Sequence, residues 1–227
     1  VRDLELRNIS MPVEFRAVDG ALGVLSGYAA VFNKLSQNLG GFVERVDPGA
    51  FTKSLADNVP VLGRYNHDDN GLLGTTEGET LRLSVDGTGL LYEVDLPNTT
   101  TGRDVSELAK RGDLRYSSFA FRTVSDEWDF TEQGFPLRTL TAVQLVDVAP
   151  VNNPAYRDTT TGLRSLAERL HMDLAEVRQA KPEELRERLL NPDSAPHEER
   201  QGEQPGQDDI HPDLSAFRHR LDLASRG

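Results

Sequence analysis

The spacing of apolar residues changes once along this chain, at Gly162, and that change limits what it can fold into. Before it, apolar and polar residues alternate in short runs broken by glycine, as in VEFRAVDG and GVLSGYAAVF, which is the period of a strand. After it, Leu163, Leu166, Leu170, Leu174 and Val177 recur on one helical face. Residues 11–32 predict a β-hairpin. Asp47-Pro48 opens a short helix over Ala50–Ala56. VPVLGRYNH predicts a strand that ends at its histidine. TLRLSVDGTGLLYEVDL predicts a hairpin turning at Asp86-Gly87. TGRDVSELAKRGD predicts a helix stopped by Gly112. Two more strands, LRYSSFAFRTVSDEWDF and PLRTLTAVQLVDVAPV, are joined by a turn near Gln133-Gly134. The expected class is mostly β with inserted helices (α+β), closed or nearly closed into a β-barrel.

Three regions follow from this pattern. Residues 1–162 form the β domain. Residues 163–190 form a helical extension, with Pro182 opening its second helix. Residues 191–227 form an acidic tail. Its first part, NPDSAPHEERQGEQPGQDDIHP, has no aromatic residue and predicts a flexible linker. Ile210, Leu214, Phe217, Leu221 and Ala224 then predict a short amphipathic helix.

Composition removes several function classes. The net charge is −12, and both the first 162 residues and the remainder are acidic. Neither part has the basic footprint of a nucleic-acid binder. The chain has no cysteine, which excludes disulfides, thiol catalysis and cysteine zinc sites. No apolar run reaches the roughly 18 residues that span a bilayer, so no membrane partner is expected.

Of five histidines, only His67 falls in the β domain. It lies in RYNHDDNGLLG. Ser117 and Ser118 lie on a separate strand, and Asp147 on a third, in LVDVAPV. A histidine can take a serine hydroxyl's proton while a carboxylate orients the imidazole. A period of two puts Ser117 with Phe119 and Phe121, which read as core, and leaves Ser118 on the other face with Tyr116 and Ala120. Asp147 sits among apolar neighbours, so its carboxylate needs a partner. A lone loop histidine can equally do no more than bond a neighbour. Residues 66–77 also match the spacing of a calcium loop, with Gly71 at the sixth position and Glu77 at the twelfth. Pro60 and Gly63 before it and a strand after it replace the two flanking helices such a loop requires.

Four ordered segments, VDPGAF at 46–51, YNHD at 65–68, GDLRYSSFAFR at 112–122 and VDVAPVNNPAY at 146–156, resemble the prohead (procapsid maturation) proteases of tailed bacteriophages. That family is similar to the herpesvirus assemblin-type serine proteases, which implies a β-barrel of that type. The resemblance implies Ser118 as nucleophile, in Ser118-Phe119-Ala120-Phe121, and His67 as base. It implies Asp147 as the third member, where many relatives carry Glu. Arg122 and Arg138 are the candidate oxyanion donors. The implied substrates and partners are the major capsid protein, a scaffolding protein or scaffolding segment, and the enzyme itself. The implied place is the assembling procapsid in the host cytoplasm, with a homodimer as one arrangement. No metal or organic cofactor is implied. The non-enzymatic alternatives are a capsid-assembly docking module on the same barrel and a calcium-binding β domain.

Overall fold

The structure is a computed structural model that describes residues 4–57, 59–153 and 160–191. The larger sheet has six strands. Its spine is a long hairpin, β9 (Tyr116–Phe130) and β10 (Pro136–Val151). β1 (Glu5–Ile9) pairs antiparallel with β9 on one side. On the other side β10 is long enough to take two parallel partners in succession. β4 (Val43–Val46) lies along Leu137–Leu140, and β5 (Leu62–Arg64) lies along Asp147 and Val148. β6 (Leu72–Thr75) pairs with β5 and forms the far edge. Between β4 and β5 the edge of β10 would be bare. The chain fills that gap with α1 (Thr52–Ala56). Val143 N–H donates to the Ala50 carbonyl at 3.0 Å, and Leu145 N–H to Ser54 Oγ at 2.8 Å, so buried edge amides stay paired.

The second sheet has four antiparallel strands in the order β2 (Glu14–Arg16), β3 (Val24–Val31), β8 (Gly89–Asp95) and β7 (Leu81–Val85). It packs on the inner face of the larger sheet. Leu25, Leu81, Leu90, Tyr92 and Val94 meet Phe119, Phe121, Leu145 and Val148 in one buried core. Gly27 is required at this contact, because a Cβ there would lie 2.8 Å from Ser117 Oγ. The close approach lets the buried Tyr92 hydroxyl and Ser117 Oγ hydrogen-bond at 3.0 Å. α2 (Thr100–Lys110) follows β8, capped by the Thr99 hydroxyl, which accepts from Gly102 N–H.

The expected closed barrel is not found among the described residues. Strand pairing between the two sheets is confined to a single parallel bridge, Phe32 with Val46. Asn33 follows at φ 55° and turns the chain away before a ladder can form. A groove of about 260 Å³ remains between β1, the end of β3 and β4, lined by Ile9, Val31, Leu35 and Val46.

The predicted first helix after Gly162 is two helices. α3 (Thr160–Leu170) ends where His171 adopts φ 50°, and α4 (Leu174–Gln179) restarts on an Asp173/Glu176 capping box. α5 (Pro182–Leu190) follows. Leu163, Leu166, Leu170, Val177 and Leu185 form a second core with Leu39, Phe42 and the edge of Trp128. The predicted linker and tail helix lie outside the described residues, apart from Asn191 at the linker's start. No described helix is long and apolar enough to cross a membrane.

Candidate active site

The site lies on the outer face of the larger sheet, and strand register puts it there. Opposite residues of an antiparallel pair point to the same side. Phe121 pairs with Leu145 and both are core residues. Simple alternation from Leu145 would send Asp147 into the same core. A bulge between Leu145 and Asp147 leaves Val146 as the extra residue, so that Asp147 pairs with Ala120. Ala120 and Ser118 share the outer face, and the carboxylate is thereby turned toward the serine. Re-aiming a side chain beside a site is a recurring use of bulges.

His67 arrives from the turn between β5 and β6. Asn66 and His67 are consecutive left-handed residues, with φ 55° and 59°. Such backbone costs about 1–2 kcal/mol per residue unless its surroundings hold it. Here Tyr65 N–H donates to the Gly71 carbonyl at 2.8 Å and Asp68 N–H to the Tyr65 carbonyl at 3.1 Å. Asn66 N–H donates to the Pro150 carbonyl at 3.1 Å, and Asn66 Oδ1 accepts from Asn152 N–H at 3.1 Å. The last two bonds fix the turn to the end of the strand that carries Asp147.

The three side chains form a row. His67 Nδ1 lies 2.5 Å from Asp147 Oδ1, and His67 Nε2 lies 2.6 Å from Ser118 Oγ. A carboxylate can only accept, so the Nδ1 position carries the proton and Nε2 presents its lone pair to the serine hydroxyl. Ser118 Oγ also lies 2.9 Å from the Arg7 carbonyl of β1. Ser118 and the Asp147 side chain are buried, while the imidazole is 15% exposed and forms part of the wall of a groove. That groove, about 420 Å³, is also lined by Leu6, Asn8, Asn66, Val151 and Asn152. A base that meets both a hydroxyl and the groove can carry a proton between the serine and a bound molecule.

Ser117 lies on the opposite face, bonded to Tyr92, as alternation predicts. The arginines do not join the row. Arg138, expected as an oxyanion donor, points into the core and has all five N–H groups engaged. They donate to Asp126, Glu5 (twice), Glu44 and Thr123. The reason is register: Arg138 pairs with Glu44 across the β10–β4 ladder. Arg122 is half-buried opposite Gln144, four residues beyond Ser118, and no hydrogen bond ties it to the row. The calcium-loop reading of 66–77 also gives way. Strands bracket the loop's start, β6 lies within it, and its histidine is turned to Asp147 and Ser118. Among the described residues no three acidic or histidine side chains cluster as a metal site.

Sequence reasoning missed Arg64, whose Nη1 lies 3.3 Å from Asp147 Oδ2. It also missed the Arg7 carbonyl, because residues 5–9 were not predicted as a strand.

The sequence profile of the caudovirus prohead serine proteases matches residues 11–172, which contain His67, Ser118 and Asp147. The chain belongs to that family. It is therefore a member of a group of phage serine proteases of capsid assembly. No curated protein sequence matches it. Among solved structures it is similar to the capsid assembly protease gp21 of bacteriophage T4. That similarity has 12% identity and a TM-score of 0.48, over 66% of this chain and 97% of that one.

Proposed function

We propose that this member of the family is an endopeptidase in which Ser118 is the nucleophile, His67 the general base and acid, and Asp147 the orienting carboxylate. The observation that carries the reading is the continuous row from Ser118 Oγ through both imidazole nitrogens to Asp147 Oδ1, with steps of 2.6 and 2.5 Å. Ser118 Oγ attacks the scissile carbonyl carbon while its proton passes to His67 Nε2. The imidazolium is held between the developing oxyanion intermediate and Asp147. It then gives the proton to the leaving amine, and an acyl-Ser118 ester remains. Water, deprotonated by the same nitrogen, hydrolyses that ester and restores the serine. Asp147 stays ionised throughout and fixes the tautomer.

Membership of a prohead protease family supports procapsid proteins as substrates. We take these to be the scaffolding protein or scaffolding segment, the major capsid protein and the protease itself. Cleavage then takes place inside the assembling procapsid in the host cytoplasm. The test is co-expression with the neighbouring capsid gene products, followed by mass spectrometry of the fragments. Wild type should yield defined fragments and Ser118→Ala only intact precursors. Equal processing by both would contradict the assignment.

A further inference from the structure

We infer that Arg64 is a positioning residue for this chemistry: it clamps Asp147 by the oxygen that His67 leaves free and ties that carboxylate to the turn carrying His67. The inference rests on the catalytic reading above and adds a fourth side chain to it.

Asp147 has a side chain only 2% exposed. A buried carboxylate is costly unless its charge is balanced and its oxygens are bonded. His67 serves Oδ1 and is a neutral partner before the reaction starts. Arg64 Nη1 serves Oδ2 at 3.3 Å and supplies the opposite charge. Parallel pairing brings it there. Asp147 lies opposite Leu62 and Val148 opposite Gly63, so Arg64 is the next residue along the neighbouring strand. With one oxygen held on each side, the carboxylate cannot rotate away from Nδ1.

The same Nη1 lies 3.0 Å from Asp69 Oδ1, and Asp69 is two residues beyond His67 in the turn. Arg64 thus bridges the acid to the loop that delivers the base. Asp69 is 85% exposed, so solvent screens its charge and the hold on Asp147 rests mainly on the buried side of Arg64. Arg64 Nε is buried and has no hydrogen-bond partner among the described residues.

The test is the rate at which a small fluorophosphonate modifies Ser118. In that reaction an Oγ–P bond forms, the P–F bond breaks, fluoride leaves and His67 takes the serine proton. Arg64→Met should slow labelling by roughly 10- to 100-fold, within the range of coupling between contacting residues. Arg64→Lys should recover most of the rate. The decisive readout is the double variant. If Arg64 acts through Asp147, then Arg64→Met in an Asp147→Asn background should cost less than about threefold more. Asp69→Asn, which leaves Arg64 in place, should slow labelling by no more than about tenfold. Thermal melting of each variant separates loss of fold from loss of rate. A wild-type rate in Arg64→Met, or an equal loss in both backgrounds, overturns the inference and leaves the catalytic assignment standing. Wild-type protein that is not labelled at Ser118 at all overturns both.

Discussion

The two faces of the same three strands, β1, β9 and β10, carry polar clusters of opposite kinds. On the inner face Glu5, Arg7, Glu44 and Arg138 are buried together. Arg7 donates to Glu44 at 2.6 and 2.9 Å and to Glu5 at 2.7 Å, and its guanidinium lies over the Phe121 ring. Thr123 donates to Glu5 at 2.6 Å. Every donor of Arg138 has an acceptor, and the two guanidinium groups face three carboxylates, those of Glu5, Glu44 and Asp126. On the outer face the row of Ser118, His67 and Asp147 contains one hydroxyl proton facing two acceptors, His67 Nε2 and the Arg7 carbonyl. The contrast concerns saturation. In the inner cluster most guanidinium donors and the Thr123 hydroxyl are committed to buried carboxylates, which holds the strands together. The outer row has a proton with somewhere to go. The two are joined through Arg7, whose side chain belongs to one and whose carbonyl belongs to the other.

If that contrast is right, substitutions on the outer face should cost rate and those on the inner face should cost stability. The largest effects are expected from Ser118→Ala and His67→Ala. Each should lower peptide-bond cleavage by on the order of 10⁶, with a melting temperature close to wild type. Asp147→Asn should lower it by about 10⁴, by favouring the wrong imidazole tautomer. All three are read from fragment yield in processing assays alongside thermal melting. A large loss of melting temperature without loss of processing in any of them would break the comparison.

On the inner face, Arg138→Met leaves Glu5 and Glu44 with half their counter-charge. Breaking a buried ion cluster in this way costs about 3–5 kcal/mol, which is a fall of roughly 10 °C in melting temperature for a domain of this size. Labelling of Ser118 in the folded protein should persist.

The pH dependence sharpens the same point. Burial pushes the Glu5 carboxyl up, but the charges of Arg138 and then Arg7 override it and hold the group below its ordinary 4.5. A carboxyl depressed in the folded state contributes stability that is fully present above 4.5. That stability is lost as pH falls through the lower folded value, because the unfolded chain takes up the proton first. Wild-type melting temperature should therefore drop as pH is lowered below that point, and Glu5→Gln should flatten that drop. An unchanged acid limb in Glu5→Gln would remove Glu5 from the account. The smallest effect is expected from Ser117→Ala. It leaves the buried Tyr92 hydroxyl unpaired, at a cost of about 1 kcal/mol, and should leave processing intact.

How much of this could be read from the sequence follows from which features are local. Both hairpins of the smaller sheet, α2 and the β9–β10 hairpin are set by alternation and by turn residues within a few positions. His67 is the one histidine of the β domain and Asp147 a lone acid among apolar residues. Ser118, by contrast, is ordinary in a strand: alternation separates it from Ser117, and the resemblance of its Ser-Phe-Ala-Phe segment to the prohead proteases assigns it. The resemblance implied that they meet, but how the backbone brings them together could not be read, since it depends on a bulge at Val146 and on two left-handed residues, Asn66 and His67. β1 was missed because its buried positions are Glu5 and Arg7 while Leu4 is 41% exposed, the reverse of a hydrophobic pattern. Their partners are remote: Glu5 meets Arg138 from 133 positions away. The same distance explains why Arg138 read as a free cation for an oxyanion. The break at His171 did have a local signal, the Asp173/Glu176 capping box, which the run of helical leucines overrode.

The central claim is that Ser118 is activated by His67. Incubation of the full chain with a small fluorophosphonate, followed by peptide mapping, tests it most directly. The account predicts one adduct, on Ser118, that disappears in His67→Ala while Ser117→Ala is labelled normally. An adduct on Ser117 or another serine, or labelling of Ser118 that is unchanged by His67→Ala, would contradict it.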